Sequence, residues 1–319
     1  MALIGFHASH EQLAPSTLKQ AVSDAETAGF GAAMCSDHFA PWGRAQGHSG
    51  HSWSWLGATL EATSLTLGVV TAPVQRYHPA VAAQAIATLA EMYPGRFWAA
   101  LGSGEAVNEH ITGEPWPRKE ERDTRLLEAV DVITRLLQGE EVTVDGLVKV
   151  DRAKLWSLPE TLPPLFGAAV SEATARTVGT WADGMITVNQ PIDVLEKVLS
   201  AFREEGGDKP AYLQVHLSWA ESEEHALSIA HEQWKTNMFG SALAWNLEMP
   251  EQFDEAARFV RPEDVRQSVL VSADPDQHIE WLRRYVDMGF DRIYLHHVGQ
   301  EQTEFIEVFG GEVVPALQD

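Results

Sequence analysis

Short apolar runs alternate with helically spaced segments along almost the whole chain, and that alternation limits the available folds more than any other feature. The runs are Leu3 to Ala8, Ala32 to Ser36, Leu65 to Ala72, Phe97 to Leu101, Leu165 to Ala169, Met185 to Val188, Tyr212 to Leu217 and Arg292 to His296. Leu65 to Ala72 is aliphatic and β-branched enough for burial on both faces, as in a parallel strand covered by helices. After Pro15, helical spacing appears at Leu18, Val22, Ala25 and Ala28 and stops at Gly29; further helical segments run from Pro79 to Met92 and from about Glu120 to Leu137. Eight strand–helix units predict an α/β chain folded as a (β/α)8 TIM barrel, whose catalytic groups gather at the C-terminal ends of the strands. A doubly wound open sheet is the alternative, but no GxGxxG follows the first run.

Two stretches fall outside the rhythm. Glu141 to Val150 alternates apolar and polar residues around Asp145-Gly146, which predicts a hairpin inserted before the fifth barrel strand. The segment from about Ala220 to Leu270 is too long for one barrel helix, so a helical insertion is expected after the seventh strand. A barrel needs about 250 residues, leaving room for both insertions in 319. No repeat or Pro/Gly/Ser-rich linker marks a boundary, and residues 1–319 read as one barrel domain.

The chain is 45% hydrophobic and 22% charged, a globular composition that excludes extended disorder. Its net charge of −23 repels phosphate backbones and anionic lipid, so neither nucleic acid nor a membrane surface is an expected partner. Lone Cys35 forms no internal disulfide, and the opening MALIGFHASH lacks the basic and apolar regions of a signal peptide. The longest uncharged stretch, around Gly50 to Leu60, contains His51, two Trp and two Ser, so no spanning helix is expected. These features predict a soluble, cytoplasmic protein.

Strand ends are where chemistry is sought. After the second strand the chain reads Ser36-Asp-His-Phe-Ala-Pro-Trp42, placing a carboxylate (Asp37), an imidazole (His38) and an indole (Trp42) within one turn. An imidazole can take the proton of a substrate hydroxyl, and an indole offers a flat wall for a ring. The plainer alternative is a loop histidine capped by Asp37. After the fourth strand comes Leu101-Gly-Ser-Gly-Glu-Ala-Val-Asn-Glu109; its glycines admit a ligand close to the backbone and Glu105 stands where a helix would start, although a tight turn with an N-terminal carboxylate reads the same way. Val70-Thr-Ala-Pro73 gives a rim of small groups on which a planar ring can rest, and Ser171 after the fifth strand is a good N-cap at a helix start able to hold phosphate.

His38, His48 and His51 lie close to Asp37, but their spacing matches no metal motif, and no metal is expected. His296-His297 ends the last strand and can line the pocket, although a paired histidine at a strand end is more often a rim residue with its hydrogen bonds met. Trp53, Trp55, Trp116, Trp156, Trp181, Trp219, Trp234, Trp245 and Trp281 read mostly as core or insertion packing.

Ser36-Asp-His-Phe-x-Pro-Trp42, Arg76-Tyr-x-Pro79, Pro94-x-Arg96, Gly102-x-Gly-Glu-Ala-x-Asn-Glu109, Trp181-Ala-Asp-Gly184 and Val271-Ser-Ala-Asp-Pro275 together resemble the luciferase-like oxidoreductases. The resemblance runs nearly end to end. It points to the branch of deazaflavin (F420)-dependent glucose-6-phosphate dehydrogenases, and more closely to a sister group described as probable non-F420 flavin oxidoreductases. It implies a (β/α)8 barrel, usually a homodimer, with FMN or coenzyme F420 across its mouth. His38 then matches the base that deprotonates a substrate alcohol, Trp42 and Glu105 match groups shaping the pocket and handling charge at the ring, and Glu11 matches a further pocket carboxylate. Asp37, Val70, Thr71, Ser103, Asn108, Val170 and Ser171 fall on cofactor-contacting positions.

Two departures qualify the resemblance. The dehydrogenases hold the sugar phosphate with two lysines and an arginine, where the corresponding stretches here read Thr187-Val-Asn-Gln190, Gln252-Phe-Asp-Glu255 and Gln300-Glu-Gln-Thr-Glu304. A phosphate beside Glu255 or Glu304 would be repelled, so a small non-phosphorylated alcohol is the expected substrate. A Gly-Gly pair that closes around the cofactor phosphate is replaced by Val170-Ser171, which leaves FMN and F420 both open. The rival readings are an FMN- and oxygen-dependent two-component monooxygenase, a non-catalytic flavin-binding relative and a metal-dependent barrel hydrolase.

Overall fold

A computed structural model describes residues 2–318. Its parallel strands are β1 (Leu3–Ala8), β2 (Ala32–Ser36), β3 (Thr66–Thr71) and β4 (Phe97–Leu101), then, after the antiparallel pair β5 (Val142–Asp145) and β6 (Lys149–Ala153), β7 (Leu165–Ala168), β8 (Gly184–Val188), β9 (Ala211–Ser218), β10 (Leu270–Val271) and β11 (Arg292–His297). Around the ring the order is β1, β2, β3, β4, β7, β8, β9, β11 and back to β1; the β8–β9 and β11–β1 pairings close it. The result is the (β/α)8 barrel expected from the alternation. β10 was not foreseen. It is two residues long and lies beside β9 outside the ring, too short to produce a periodic signal.

Helices follow the strands and cover the outside. Several begin where proline sits at the first helical position, as at Pro15–Thr27, Pro79–Met92 and Pro275–Asp287, where the missing N–H costs nothing. The expected insertions are both present: the β5–β6 hairpin, and helices over Glu223–Trp234, Ser241–Ala244 and Pro250–Ala256 between β9 and β10. The uncharged stretch after β2 is also a helix, Ser52–Ala62, N-capped by the His51 ring. Among the described residues no helix is long and apolar enough to cross a membrane.

Alternation along each strand sends one set of side chains outward into the helix layer and the other into the barrel. Trp98, Phe166, Tyr212 and Tyr294 fill the interior with Ala32, Met34, Ala100 and Ile186. Four large rings fit because facing positions carry no side chain. A Cβ on Gly68 would lie 1.9 Å from the Trp98 indole, and one on Gly5 2.5 Å from the Tyr294 ring. Since Trp98 is itself held between Phe166 and Tyr212, it has nowhere to retreat. Gly68→Ala is therefore expected to cost roughly 3 kcal/mol or more through overpacking, read as a lower urea midpoint. At the N-terminal end Arg292 closes the interior, donating to the Thr66 hydroxyl at 2.8 Å and lying over the Tyr212 ring. The C-terminal end stays open.

Candidate active site

The open end is a cavity of about 550 Å³, within the range of small-molecule and cofactor sites. Inward positions at the strand ends supply its floor: His7 from β1, Val70 from β3, Ala168 from β7, Gln214 and His216 from β9, and His296 from β11. Loops and the insertion supply its walls, including Trp42, Glu105, Trp234, Phe239 and Trp245.

His38 stands between two carboxylates. Its Nδ1 lies 3.2 Å from Glu11 Oε1, outside hydrogen-bond geometry, and its Nε2 lies 3.8 Å from Glu105 Oε2. The two carboxylates are pushed in opposite directions. Burial alone would raise Glu11, but the facing His38 and the hydroxyls of Ser9 (2.7 Å) and Ser36 (2.8 Å) stabilise its anion and hold it below the ordinary value. Burial raises Glu105, with the nearby Glu11 charge adding to it and His38 and Arg122 opposing. Glu11 is thus the resident anion and Glu105 the group inclined to carry a proton. An anion at Nδ1 favours the tautomer with its proton there, leaving Nε2 free to accept one from the cavity side. The Trp42 indole flanks the imidazole at 5.3 Å between ring centres and is buttressed edge-on by Phe253.

Asp37 does not cap His38. Its carboxylate accepts from Ser52 (2.6 Å), Thr71 (2.7 Å) and Tyr77 (3.3 Å), with Arg76 Nη2 at 3.4 Å. Asn108 accepts from the Phe39 amide at 2.8 Å. Glu109, fully buried, accepts from the Arg76 amide at 2.5 Å; burial pushes its carboxyl up to about 7 against the pull of Arg76. Gly104, at φ +78°, gives the turn after β4 the left-handed backbone that lets Ser103 and Glu105 both reach the cavity.

The structure gathers His38, Trp42, Glu105, Glu11, Asp37, Val70, Thr71, Ser103, Asn108 and Val170 on this one cavity. Ser171 is absent from its lining. The Ser171 hydroxyl instead caps the helix Glu172–Trp181, accepting from the Thr174 amide, while Thr174 reaches the rim. Glu255 and Glu304 do not line the cavity either; Glu255 is paired with Arg258 on the surface. Repulsion by those two is therefore not what disfavours a phosphate. Among the described residues the lining cations are Arg76 and Lys119, and both already have carboxylate partners. His48 and His51 do not join His38: the His48 amide is bonded to the Glu11 carbonyl and His51 caps a helix. No metal-binding cluster occurs among the described residues.

Of the histidine floor, sequence reasoning offered only the His296-His297 pair. His7 stacks on His296 at 4.3 Å, and the Gln214 amide nitrogen lies 3.1 Å from His216 Nε2 and 3.2 Å from His296 Nδ1. His296 Nε2 in turn meets Gln12 Oε1 at 2.6 Å. Burial holds His7 down at about 4 and His216 at about 3, so the floor is uncharged. Of the pair at the end of β11, His296 faces the cavity, whereas His297 stacks on Phe305 outside it. The tryptophans also divide differently: Trp234 and Trp245 line the cavity, and Trp156 is 90% exposed. The available signal was polar residues at inward positions near strand C-termini.

Comparison with known proteins agrees with the barrel fold. The sequence model of a family described as luciferase-like monooxygenase matches residues 1–292. The F420-dependent glucose-6-phosphate dehydrogenase of Nakamurella multipartita is 35% identical, over 98% of this chain and 96% of that protein. The enzyme of the same description from Mycobacterium tuberculosis is 33% identical, over 99% and 98%. Among solved structures, an F420-dependent secondary alcohol dehydrogenase in complex with an F420–acetone adduct superposes with a TM-score of 0.91 at 30% identity, covering all of both chains. The coenzyme F420-dependent tetrahydromethanopterin reductase of Methanopyrus kandleri shares the fold, with a TM-score of 0.78 at 22% identity and 99% of each chain covered.

Proposed function

Because the chain belongs to the luciferase-like monooxygenase family, we propose that it is an oxidoreductase exchanging hydride between a small non-phosphorylated alcohol and coenzyme F420 or FMN. The three relatives above that are named for F420 at 30% identity or more span essentially the whole chain, which favours the deazaflavin. The observation that carries the reading is His38 between an anionic Glu11 and a Glu105 raised by burial, on a cavity large enough for a ring and a small substrate.

The residues present fit such a ring. Val70, Ala168, Ala169 and Val170 give the cavity small apolar surfaces, and the buried Thr187 hydroxyl and Gln190 amide nitrogen border it without a protein partner. Asp37, Thr71 and Ser103 are the remaining groups from the β2, β3 and β4 ends that would hold it. When bound, the ring supplies the two-electron acceptor. His38 Nε2 takes the hydroxyl proton of the alcohol, making the carbon a better hydride donor. Glu11 stabilises the imidazolium that forms, and Glu105 holds a proton at the cavity edge. Trp42 packs beside the imidazole and excludes water from one side of it. With no unpaired cation on the wall, a substrate phosphate would lose its hydration without gaining a partner.

A spectrum tests this directly. Titration with F420 and with FMN should give saturable absorbance changes, with micromolar affinity for at least one. Under anaerobic conditions a secondary alcohol such as 2-propanol should bleach the bound cofactor, whereas glucose 6-phosphate should not. Binding of neither ring would end the proposal, and alcohol-independent oxygen consumption with reduced FMN would replace it with the monooxygenase reading.

A further inference from the structure

The backbone on either side of His38 is held by side chains from three other parts of the chain. The Asp37 carbonyl, which belongs to the peptide unit entering His38, accepts from Arg76 Nη2 at 2.7 Å. The His38 carbonyl accepts from the Ser49 hydroxyl at 2.6 Å. On the far side the Phe39 amide donates to Asn108 Oδ1 at 2.8 Å. The segment from Asp37 to Phe39 belongs to no helix or strand, so these bonds replace the ladder that would otherwise fix it.

Arg76 is itself tightly placed. Its guanidinium lies over the Tyr77 ring at 4.5 Å, between Asp37 Oδ2 at 3.4 Å and Glu109 Oε1 at 3.7 Å. Its own amide is bonded to Glu109. Asp37 directly follows β2, Arg76 lies in the loop after β3 and Glu109 ends the short helix Ala106–Glu109 after β4, so the entering peptide unit is tied to the segments that follow three neighbouring strands. We infer that Arg76, Asn108 and Ser49 are positioning residues that fix the His38 backbone, and hence its imidazole, between Glu11 and Glu105. This rests on the reading of His38 as the base.

A displacement of about 1 Å at a reacting group costs on the order of a hundredfold in rate, so loosening the segment acts on turnover before it acts on binding. The Arg76→Ala variant strands two buried carboxylates and risks misfolding. Asn108→Ala and Ser49→Ala leave no buried charge unpaired, so they carry the test; Asn108 Nδ2 also reaches Glu105 at 3.4 Å, and Ser49→Ala is the variant free of that second contact. Each is expected to lower kcat roughly tenfold while KM for the alcohol and the cofactor Kd stay within about twofold. Arg76→Lys, which keeps a donor for the Asp37 carbonyl, should retain more turnover than Arg76→Ala. In a His38→Ala background Asn108→Ala and Ser49→Ala should add nothing, because there is no base left to position.

If His38→Ala abolishes turnover but both mild variants keep wild-type kcat, positioning is refuted and the base assignment stands. If Asn108→Ala weakens cofactor binding with kcat unchanged, Asn108 is a cofactor contact and not a positioning residue. If His38→Ala itself keeps full turnover, the functional reading fails first.

Discussion

The His38→Ala enzyme is expected to turn over roughly 10³-fold more slowly than the wild type with cofactor affinity nearly unchanged. The size follows from general-base catalysis, which contributes about 10²- to 10⁴-fold when a positioned group takes a proton in the transition state. No second group stands ready to replace it. Glu11 is committed to Ser9, Ser36 and the far side of the imidazole. Glu105, raised by burial toward its protonated form, offers no base while it holds that proton. Asp37 is occupied by Ser52, Thr71 and Tyr77. Steady-state kinetics with a parallel cofactor titration separates the outcomes: a fall in kcat with constant Kd supports the base, and wild-type kcat eliminates it.

Lowering the pH from 7 to 5 should destabilise the fold by several kcal/mol. Burial holds the imidazoles of His7, His10 and His278 down at about 4, those of His216 and His297 at about 3, and that of His296 far below its ordinary value. In the unfolded chain each titrates near about 6.5. Below that pH the unfolded state binds protons that the folded state refuses, so stability is present above the unfolded value and is lost as pH falls toward the folded one. At pH 5 the loss is at most about 2 kcal/mol for each imidazole. Glu109, pushed up to about 7, favours the folded state on acidification and offsets only a small part. Typical domains hold about 5–15 kcal/mol in total, so a loss of several kcal/mol should move thermal unfolding down between pH 6.5 and 5. An unfolding temperature flat across that range would mean that these rings are charged or wet in the folded state.

Much of the architecture was legible in the sequence. Parallel strands buried on both faces must be short and aliphatic, and helices between them must keep one apolar stripe, so the barrel writes its alternation into the chain. Asp145-Gly146 announced the hairpin, although the strands are joined through Gly146, Leu147 and Val148 and Gly146 does not adopt the left-handed backbone of a tight two-residue turn. β10 and the helix Ser52–Ala62 were not legible. The first is too short to have a period, and the second carries Trp53, Trp55, Leu56 and Leu60 on a segment apolar nearly all round.

The strand-end rule also picked out His38, Trp42 and Glu105, since loops that follow strands must lie at one mouth whatever the details. It did not find what depends on contact between distant strands. Inward-facing His7, Gln214, His216 and His296 come from β1, β9 and β11, and only closure of the ring makes them one uncharged floor. The same closure separates Ser171 from the cavity and turns Asp37 from a neighbour of the histidine into an anchor for three other elements. Periodicity along a chain is a local property, set by which face of an element meets the core, and so the sequence alone determined the barrel and the residues at its mouth. Hydrogen-bond partners, charge states and cavity membership depend on distances between segments far apart in the chain, and those were decided by the tertiary structure.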